Sequence, residues 1–96
     1  MKKRALGNAV YALRKKLNLT QSKFAKKSGL SQSAISRIES GQRWSTDRTL
    51  DLLGEALGID PMEIMKLTYD EHNKPEAQRW RSLKDDDDKE ESHEND

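Results

Sequence analysis

The stretch from Thr20 to Gly41, TQSKFAKKSGLSQSAISRIESG, constrains the fold of this chain more than any other part of it. It predicts two short helices joined by a tight turn. Thr20 is a favourable N-cap, because its hydroxyl accepts a hydrogen bond from an amide in the first turn. Gly29 ends the first helix, where a left-handed residue is often required and glycine adopts it at little cost. Ser31 caps the second helix, so we expect two helices held at a steep angle.

The second predicted helix, residues 31–40, has two chemically different faces. At about 100° per residue, Ile35 and Ile38 fall on one arc and the polar side chains on the other. A face that is merely solvated usually carries lysine and glutamate, whereas this one has a single charge and many hydroxyl and amide groups. The polar arc comprises Gln32, Ser33, Ser36, Arg37 and Ser40. Two interpretations follow: a solvated surface helix, or a helix that reads a partner through hydrogen bonds.

Apolar residues at helical spacing predict three further helices. The stripes of the first two are Leu6, Val10, Leu13 and Leu17, and then Leu50, Leu53 and Leu57. The third helix begins with Asp60 as N-cap and Pro61 at its first position. Gly54 costs about 1 kcal/mol relative to alanine inside a helix, which predicts a close approach by a neighbouring helix. No strand pattern occurs, so we expect an all-α, compact five-helix bundle over residues 6–68.

Charge is distributed unevenly along the chain. Residues 1–69 contain thirteen Lys or Arg against six Asp or Glu, a balance of +7, and residues 70–96 have a balance of −6. A basic body with an acidic tail is typical of a nucleic-acid binder with a modulating segment, although basic surfaces are also common elsewhere. We expect a basic N-terminal arm at 1–5, a folded domain at 6–69 and a largely disordered acidic C-terminal tail at 70–96.

The basic N-terminus and the apolar final helix of the predicted bundle each have two interpretations. Lys2, Lys3 and Arg4 form either a basic arm that follows DNA phosphates or a solubilising terminus. The final helix is apolar on more than one side, which predicts either a homodimer interface or packing by a later segment. The apolar residues assigned to that interface are Met62, Met65 and Leu67.

The run from Leu13 to Ile59 resembles the helix-turn-helix domain of the Cro and lambda-repressor type, also called the Xre family. The matching segments are LRKKLNLTQSKFA, then SGLSQSAISRIESG, then TLDLLGEALGID. The resemblance extends over residues 6–67 with its spacing intact. It implies a lambda-repressor-like fold and a sequence-specific transcriptional regulator of double-stranded DNA. The implied mechanism is repression from an inverted repeat by a homodimer, with helix 31–40 in the major groove.

The resemblance also implies roles for individual residues. Gln32, Ser33 and Arg37 match base-reading positions, and their chemistry suits adenine for the Gln32 amide and guanine for Arg37. Arg14 and Glu39 match a structural ion pair between the first and third helices. The positions that match contacts to the DNA backbone, directly or through water, are Gln21, Ser36, Ser40, Gln42 and Arg43.

Within the acidic tail, PEAQRWRSL at 75–83 predicts one or two helical turns that display Trp80 and Leu83. Such a short piece is unstable alone, so we expect it to dock onto the body or onto a protein partner. The following KDDDDK, Lys84 to Lys89, resembles an enteropeptidase site. The acidic run is either a competitor with DNA for the basic surface or a solvated terminus.

Other function classes find little support in the sequence. His72 and His93 lie in polar surroundings, and no glycine-rich phosphate loop or nucleophile motif is present, so we predict no enzyme, no metal site and no cofactor. No apolar run is long enough to span a bilayer, and we expect a cytoplasmic protein. Two alternatives stay open: an antitoxin that binds DNA and neutralises a toxin through its C-terminal segment, and a protein-bridging module with little sequence preference.

Overall fold

The computed structural model describes residues 3–75, which form five α-helices with no strand among them. The helices are α1 (Lys3–Lys16), α2 (Gln21–Ser28), α3 (Gln32–Glu39), α4 (Asp47–Leu57) and α5 (Pro61–Asn73). The expected all-α, five-helix fold is therefore confirmed. Residue Lys2 and the tail residues Trp80, Leu83 and Lys84 to Lys89 lie outside the described residues.

Local capping explains where most helices begin. The hydroxyls of Thr20, Ser31 and Thr46 each accept a hydrogen bond from the amide three residues later, at 3.0–3.1 Å. Asp60 accepts from the amide of Met62 at 2.9 Å, ahead of Pro61 in the first turn of α5. Each bond pairs an amide that has no partner within its helix. The helix starts predicted at Thr20, Ser31 and Asp60 are confirmed.

A left-handed residue lies within two residues of the end of α1, α2, α3 and α4, with Gly41 at φ 82° after α3. Gly29 closes α2 with φ 79°, and Gly58 closes α4 with φ 74°. Asn18 has φ 59°, two residues after α1 ends. Leu17 therefore lies past the helix and is 46% exposed, so its assignment to the inner apolar stripe is wrong. That stripe ends with Leu13, which is partly buried against the core.

The hydrophobic core joins all five helices. Its fully buried members come from regularly spaced positions of each helix: Leu6, Val10, Phe24, Ile35, Ile38, Leu53 and Ile64. Leu13, Leu19, Leu30, Leu50 and Ile59 pack around this cluster with part of their surface exposed. Burial of these side chains holds α2 and α3 in place, because helices of eight residues are not stable alone.

The first helix begins earlier than expected. Since α1 starts at Lys3, the structure places Lys3 and Arg4 in its first turn rather than in an arm ahead of a helix at Leu6. The α1 backbone at Arg4 also lies close to the turn after α3, where a Cβ atom on Gly41 would come within 3.1 Å of the Arg4 Cα. The expected boundary after residue 5 thus falls inside a helix.

Two glycines permit close approaches between elements. A Cβ atom at Gly7 would lie 2.5 Å from the carbonyl oxygen of Ile38 and 2.6 Å from that of Glu39, so α1 packs directly on the end of α3. A Cβ atom at Gly54 would lie 2.8 Å from the carbonyl oxygen of Ile59. The close approach predicted at Gly54 is therefore present, and it is made by the connection to α5.

The last helix packs against α1 through a polar contact as well as an apolar one. Ile64, Thr68 and Glu71 face inward, and the amide of Asn8 donates to the Glu71 carboxylate at 3.1 Å. Because this contact holds residues beyond 69, α5 runs four residues past the expected domain boundary. Among residues 3–75, no helix has the length and apolar character that crossing a membrane requires.

The outer surface of α5 has two separate apolar parts. Met62 and Tyr69 are 71% and 57% exposed, and the partly buried Met65 lies between them in one stripe. Leu67 is about 140° around the helix from Met62, where it lines a groove beside α1. Five residues of helix therefore rotate Leu67 to a different side of α5 from Met62 and Met65, and the expectation that all three form one dimer interface stays a prediction.

Candidate nucleic-acid interface

The turn between α2 and α3 is held by short-range hydrogen bonds. The Ser28 hydroxyl donates to the carbonyl of Ala25 at 3.2 Å and accepts from the amide of Leu30 at 3.3 Å. Gly29 between them supplies the left-handed backbone, and Ser31 then caps α3. These contacts leave the connection little freedom, so the direction of α3 is determined relative to α2.

The two sides of α3 differ as the sequence predicts. Ile35, Ile38 and Glu39 are buried, which attaches one side of the helix to the core. On the other side Ser33, Arg37 and Ser40 are exposed, while Gln32 and Ser36 are partly buried at its edges. The predicted polar arc is therefore presented at the surface as one row of hydrogen-bonding groups.

A buried ion pair holds the C-terminal end of α3 on its core-facing side. Arg14 and Glu39, which the family resemblance pairs, are 0% and 1% exposed. The Arg14 Nε donates to Glu39 Oε2 at 2.6 Å, and its Nη2 donates to Oε1 at 2.9 Å. The remaining Nη1 donates to the carbonyl of Leu19 at 2.7 Å, and the guanidinium lies 5.3 Å from the Tyr11 ring centroid. Two-point pairing of this kind sets orientation as well as distance.

Gln21 extends this network to α2. It is buried, and its Nε2 donates to Glu39 Oε1 at 3.1 Å. This hydrogen bond ties α2 to the end of α3, whereas the DNA-backbone contact that the resemblance implies for Gln21 stays a prediction. Gln21 Oε1 and Gln32 Nε2 are both buried atoms with no hydrogen-bond partner among residues 3–75. Each glutamine therefore retains hydrogen-bonding capacity at the start of its helix.

Three donors in the segment after α3 hydrogen-bond to a single backbone carbonyl group. The carbonyl oxygen of Arg37 accepts from the amide of Gln42 at 2.9 Å, the amide of Arg43 at 3.3 Å and the hydroxyl of Ser40 at 3.2 Å. Gln42 is exposed and Arg43 is partly buried, next to Trp44, which is 39% exposed. The loop therefore holds these side chains beside the last turn of α3, with Arg4 across Gly41.

Sequence reasoning passed over the positive charge of α2. Lys23, Lys26 and Lys27 are exposed on this helix, which has no acidic residue. On α3 the acidic Glu39 is buried against Arg14, so neither helix exposes a negatively charged side chain. The sequence indicates this positive charge, because the eight residues of α2 include three lysines and no carboxylate. Within the described part of the chain, no cluster of side chains suited to a metal ion occurs.

The surface formed by α3 and its following loop is suited to a polyanion that offers hydrogen-bonding edges. It has exposed hydroxyls, amides and one arginine on a rigid helix, with lysines on the preceding helix. Base edges of DNA in the major groove present donors and acceptors in fixed patterns, and phosphates attract the surrounding cations. The structure brings together the predicted base-reading and backbone-contacting side chains, but their individual contacts to DNA stay predictions.

Comparison with known proteins agrees with this geometry. The family model described as helix-turn-helix matches residues 10–64, more than half of the chain. An uncharacterised HTH-type transcriptional regulator of Sinorhizobium fredii (strain NBRC 101917 / NGR234), y4dJ, is 35% identical over 66 residues. That alignment covers 69% of this chain and 86% of the relative.

Two solved structures have a similar fold. The restriction-modification controller protein C.AhdI from Aeromonas hydrophila is 32% identical with a TM-score of 0.63, over 65% of this chain and 94% of its own. The clp gene regulator ClgR from Corynebacterium glutamicum has a TM-score of 0.68 at 23% identity, over 73% of this chain and 74% of its own. At that identity the second likeness concerns the fold alone.

Proposed function

The chain belongs to the helix-turn-helix family of DNA-binding transcriptional regulators, and we propose that it is a cytoplasmic repressor that binds an inverted-repeat operator as a homodimer. Family membership confirms the resemblance to the Cro and lambda-repressor type and places the protein among regulators rather than enzymes. In this proposal the DNA-binding domain comprises all five helices, residues 3–73 instead of the expected 6–69, with α3 in the major groove. The main support for this proposal is that the polar side of α3 is exposed while its buried side is held by the Arg14–Glu39 ion pair.

Direct reading of base pairs is assigned to three side chains. Arg37 is exposed on α3 and suits the O6 and N7 atoms of guanine. Gln32 suits adenine, since its amide offers a donor and an acceptor side by side. Ser33 is exposed next to Gln32 and completes the set.

Contacts to the DNA backbone are assigned to the edges of this surface. Gln42 and Arg43 stand beside the end of α3, and Arg4 lies across Gly41 in the first turn of α1, which also contains Lys3. Lys2 precedes them and is proposed to act with them. The remaining backbone contacts are assigned to Gln21, Ser36 and Ser40. Because these contacts displace counterions from DNA, affinity should fall steeply with increasing salt.

Dimerisation is assigned to the stripe of Met62, Met65 and Tyr69 on α5. An exposed row of large apolar side chains on a terminal helix is what a second copy of the chain would cover. A two-fold dimer would place its two α3 helices in successive major grooves, with half-sites about 34 Å apart.

Random-site selection with the purified full-length protein tests the reading of DNA. We expect an enriched inverted repeat whose half-site centres are about one helical turn apart. Enrichment of a single half-site would contradict the dimer, and no enrichment would favour the protein-bridging alternative.

Sedimentation velocity tests the proposed dimer surface. Met62→Glu puts a charge into the stripe and should convert dimers to monomers at concentrations where the unaltered protein is dimeric. Leu17→Glu is the matched control, because Leu17 is an exposed apolar residue at the far end of α1. Equal effects of the two substitutions would contradict an interface on α5.

A further inference from the structure

A groove between α1 and α5 forms an apolar recess among the described residues that the proposed DNA surface does not use. Ala12, Leu13 and Leu67 supply apolar surface, and the groove has a volume of about 600 Å³. That volume lies within the range of sites that hold a small ligand or a large side chain. Leu67 lies here rather than beside Met62, so the groove is separate from the proposed dimer stripe.

We propose that this groove is the docking site for the segment 76–83 of the same chain, with Trp80 as its main anchor. The described chain leaves α5 at Lys74, which itself lines the groove and whose backbone is already extended. The last described residues therefore lie at the edge of the groove. Trp80 follows Pro75 by five residues, which span about 7.5 Å in a helix and at most about 18 Å when extended. Because Lys74 already lines the groove, a linker of this length is sufficient to bring Trp80 onto its apolar surface.

The chemistry of the segment matches the groove in two ways. Trp80 and Leu83 are three residues apart, the spacing that places both on one side of a helical turn. The groove also has Lys15 and Lys16 at its α1 edge and Asp70 on α5. Asp85 to Asp88 follow Leu83 closely and complement the two lysines, while Arg79 and Arg81 flank Trp80 and complement Asp70. A docked segment would thereby place the acidic run against the body of the protein.

Tryptophan fluorescence of the full-length chain tests the docking. Trp44→Phe removes the other tryptophan, which lies in the loop after α3 and outside the groove, and leaves Trp80 as the only reporter. We expect Trp80 to emit at shorter wavelength than N-acetyltryptophanamide in the same buffer. We also expect acrylamide to quench it several-fold less than the free compound.

Two substitutions in the Trp44→Phe background locate the binding surface. Ala12→Glu places a carboxylate in the groove, yet the new side chain would stand three and four residues before Lys15 and Lys16, which favours the helix. It should restore the emission and quenching of a free tryptophan while circular dichroism and thermal unfolding stay unchanged. Leu17→Glu, outside the groove, should leave Trp80 protected.

A second measurement covers the case in which Ala12→Glu fails to fold. Trp80→Ala alters no residue of the five helices, so amide NMR spectra of this full-length variant report on docking alone. We expect shift changes confined to α1 and α5 residues around the groove.

Three outcomes would overturn the proposal. The first is Trp80 emission equal to that of the free compound, together with unchanged groove amides in Trp80→Ala. The second is protection that a folded Ala12→Glu variant retains. The third is protection that disappears on dilution, which would make a second copy of the chain the source of the docked segment.

Discussion

The two sides of α3 are built on different principles. The inner side, with Ile35, Ile38 and Glu39, is buried and makes fixed contacts with α1 and α2. The outer side, with Ser33, Arg37 and Ser40, is exposed. Substitutions on the inner side should therefore change stability and affect all DNA sequences alike. Substitutions on the outer side should change the choice of sequence and leave stability intact.

The buried Arg14–Glu39 ion pair shows why the inner side of α3 tolerates few substitutions. Burying two charges carries a large desolvation cost, which their attraction offsets only with good geometry and with the remaining donors satisfied. Here the Arg14 guanidinium contacts both carboxylate oxygens and the Leu19 carbonyl, and Gln21 adds a donor to Glu39. We infer that the main contribution of the network is the orientation of α3 relative to α1 and α2, since a well-packed apolar replacement is often equally stable.

The largest effect is expected from Glu39→Ala. It leaves the buried Arg14 charge without its carboxylate, which should lower the free energy of unfolding by about 3–5 kcal/mol. Urea denaturation followed by circular dichroism measures the loss. Glu55→Ala, an exposed glutamate on α4, is the control and should change stability by less than about 0.5 kcal/mol. A loss below about 1 kcal/mol for Glu39→Ala would show that the network does not hold the helix.

Gly7→Ala should have the next largest effect. The added methyl group would overlap the carbonyl oxygens at the end of α3, and since backbone cannot rotate away we expect a loss of about 3 kcal/mol. NMR shifts should also change around Ile38 to Gly41. The control Gly58→Ala strains a left-handed residue in open space, at about 1–2 kcal/mol, and should leave α3 shifts unchanged. Unaltered α3 shifts in Gly7→Ala would contradict direct packing of α1 on α3.

Arg37→Ala tests whether the outer side of α3 determines sequence preference without affecting stability. Binding to the selected site should weaken by about 1–3 kcal/mol, with preference relaxed at one base pair, while stability changes by less than about 0.5 kcal/mol. Affinity measured on single-base variants of the operator separates these effects. Arg48→Ala, an exposed arginine on α4, should leave the base preference unaltered. If Arg37→Ala weakens binding to every DNA sequence equally, Arg37 contacts a phosphate instead of a base.

Features that depend on neighbours in the chain were predictable from the sequence. The caps at Thr20, Ser31 and Asp60 act within three residues, and the left-handed Gly29 needs only its own backbone. The side of α3 that faces outward follows in the same way from helical periodicity. The Arg14–Glu39 pair was implied only by the family resemblance, because its members are 25 residues apart and each is an ordinary charged residue on its helix.

Other features escaped prediction because the partner lies far away in sequence. Gly7 looks like any small residue in a helix until the end of α3 is placed against it. Asn8 and Glu71 meet across 63 residues, which carries α5 past its expected end. Helical spacing already separates Leu67 from Met62 on α5, but only the position of α1 shows that Leu67 lines a groove.

By itself, the sequence determined the helical fold, the positions of the helix caps and the polar character of the exposed side of α3. These properties come from backbone geometry, capping chemistry and the period of the helix, all of which act over a few residues. Only the tertiary structure decided the contacts that brace α3, that Arg4 lies beside its end, and that a groove opens next to Lys74. Those arrangements arise when the core packs, because burial brings together side chains that the chain itself keeps far apart.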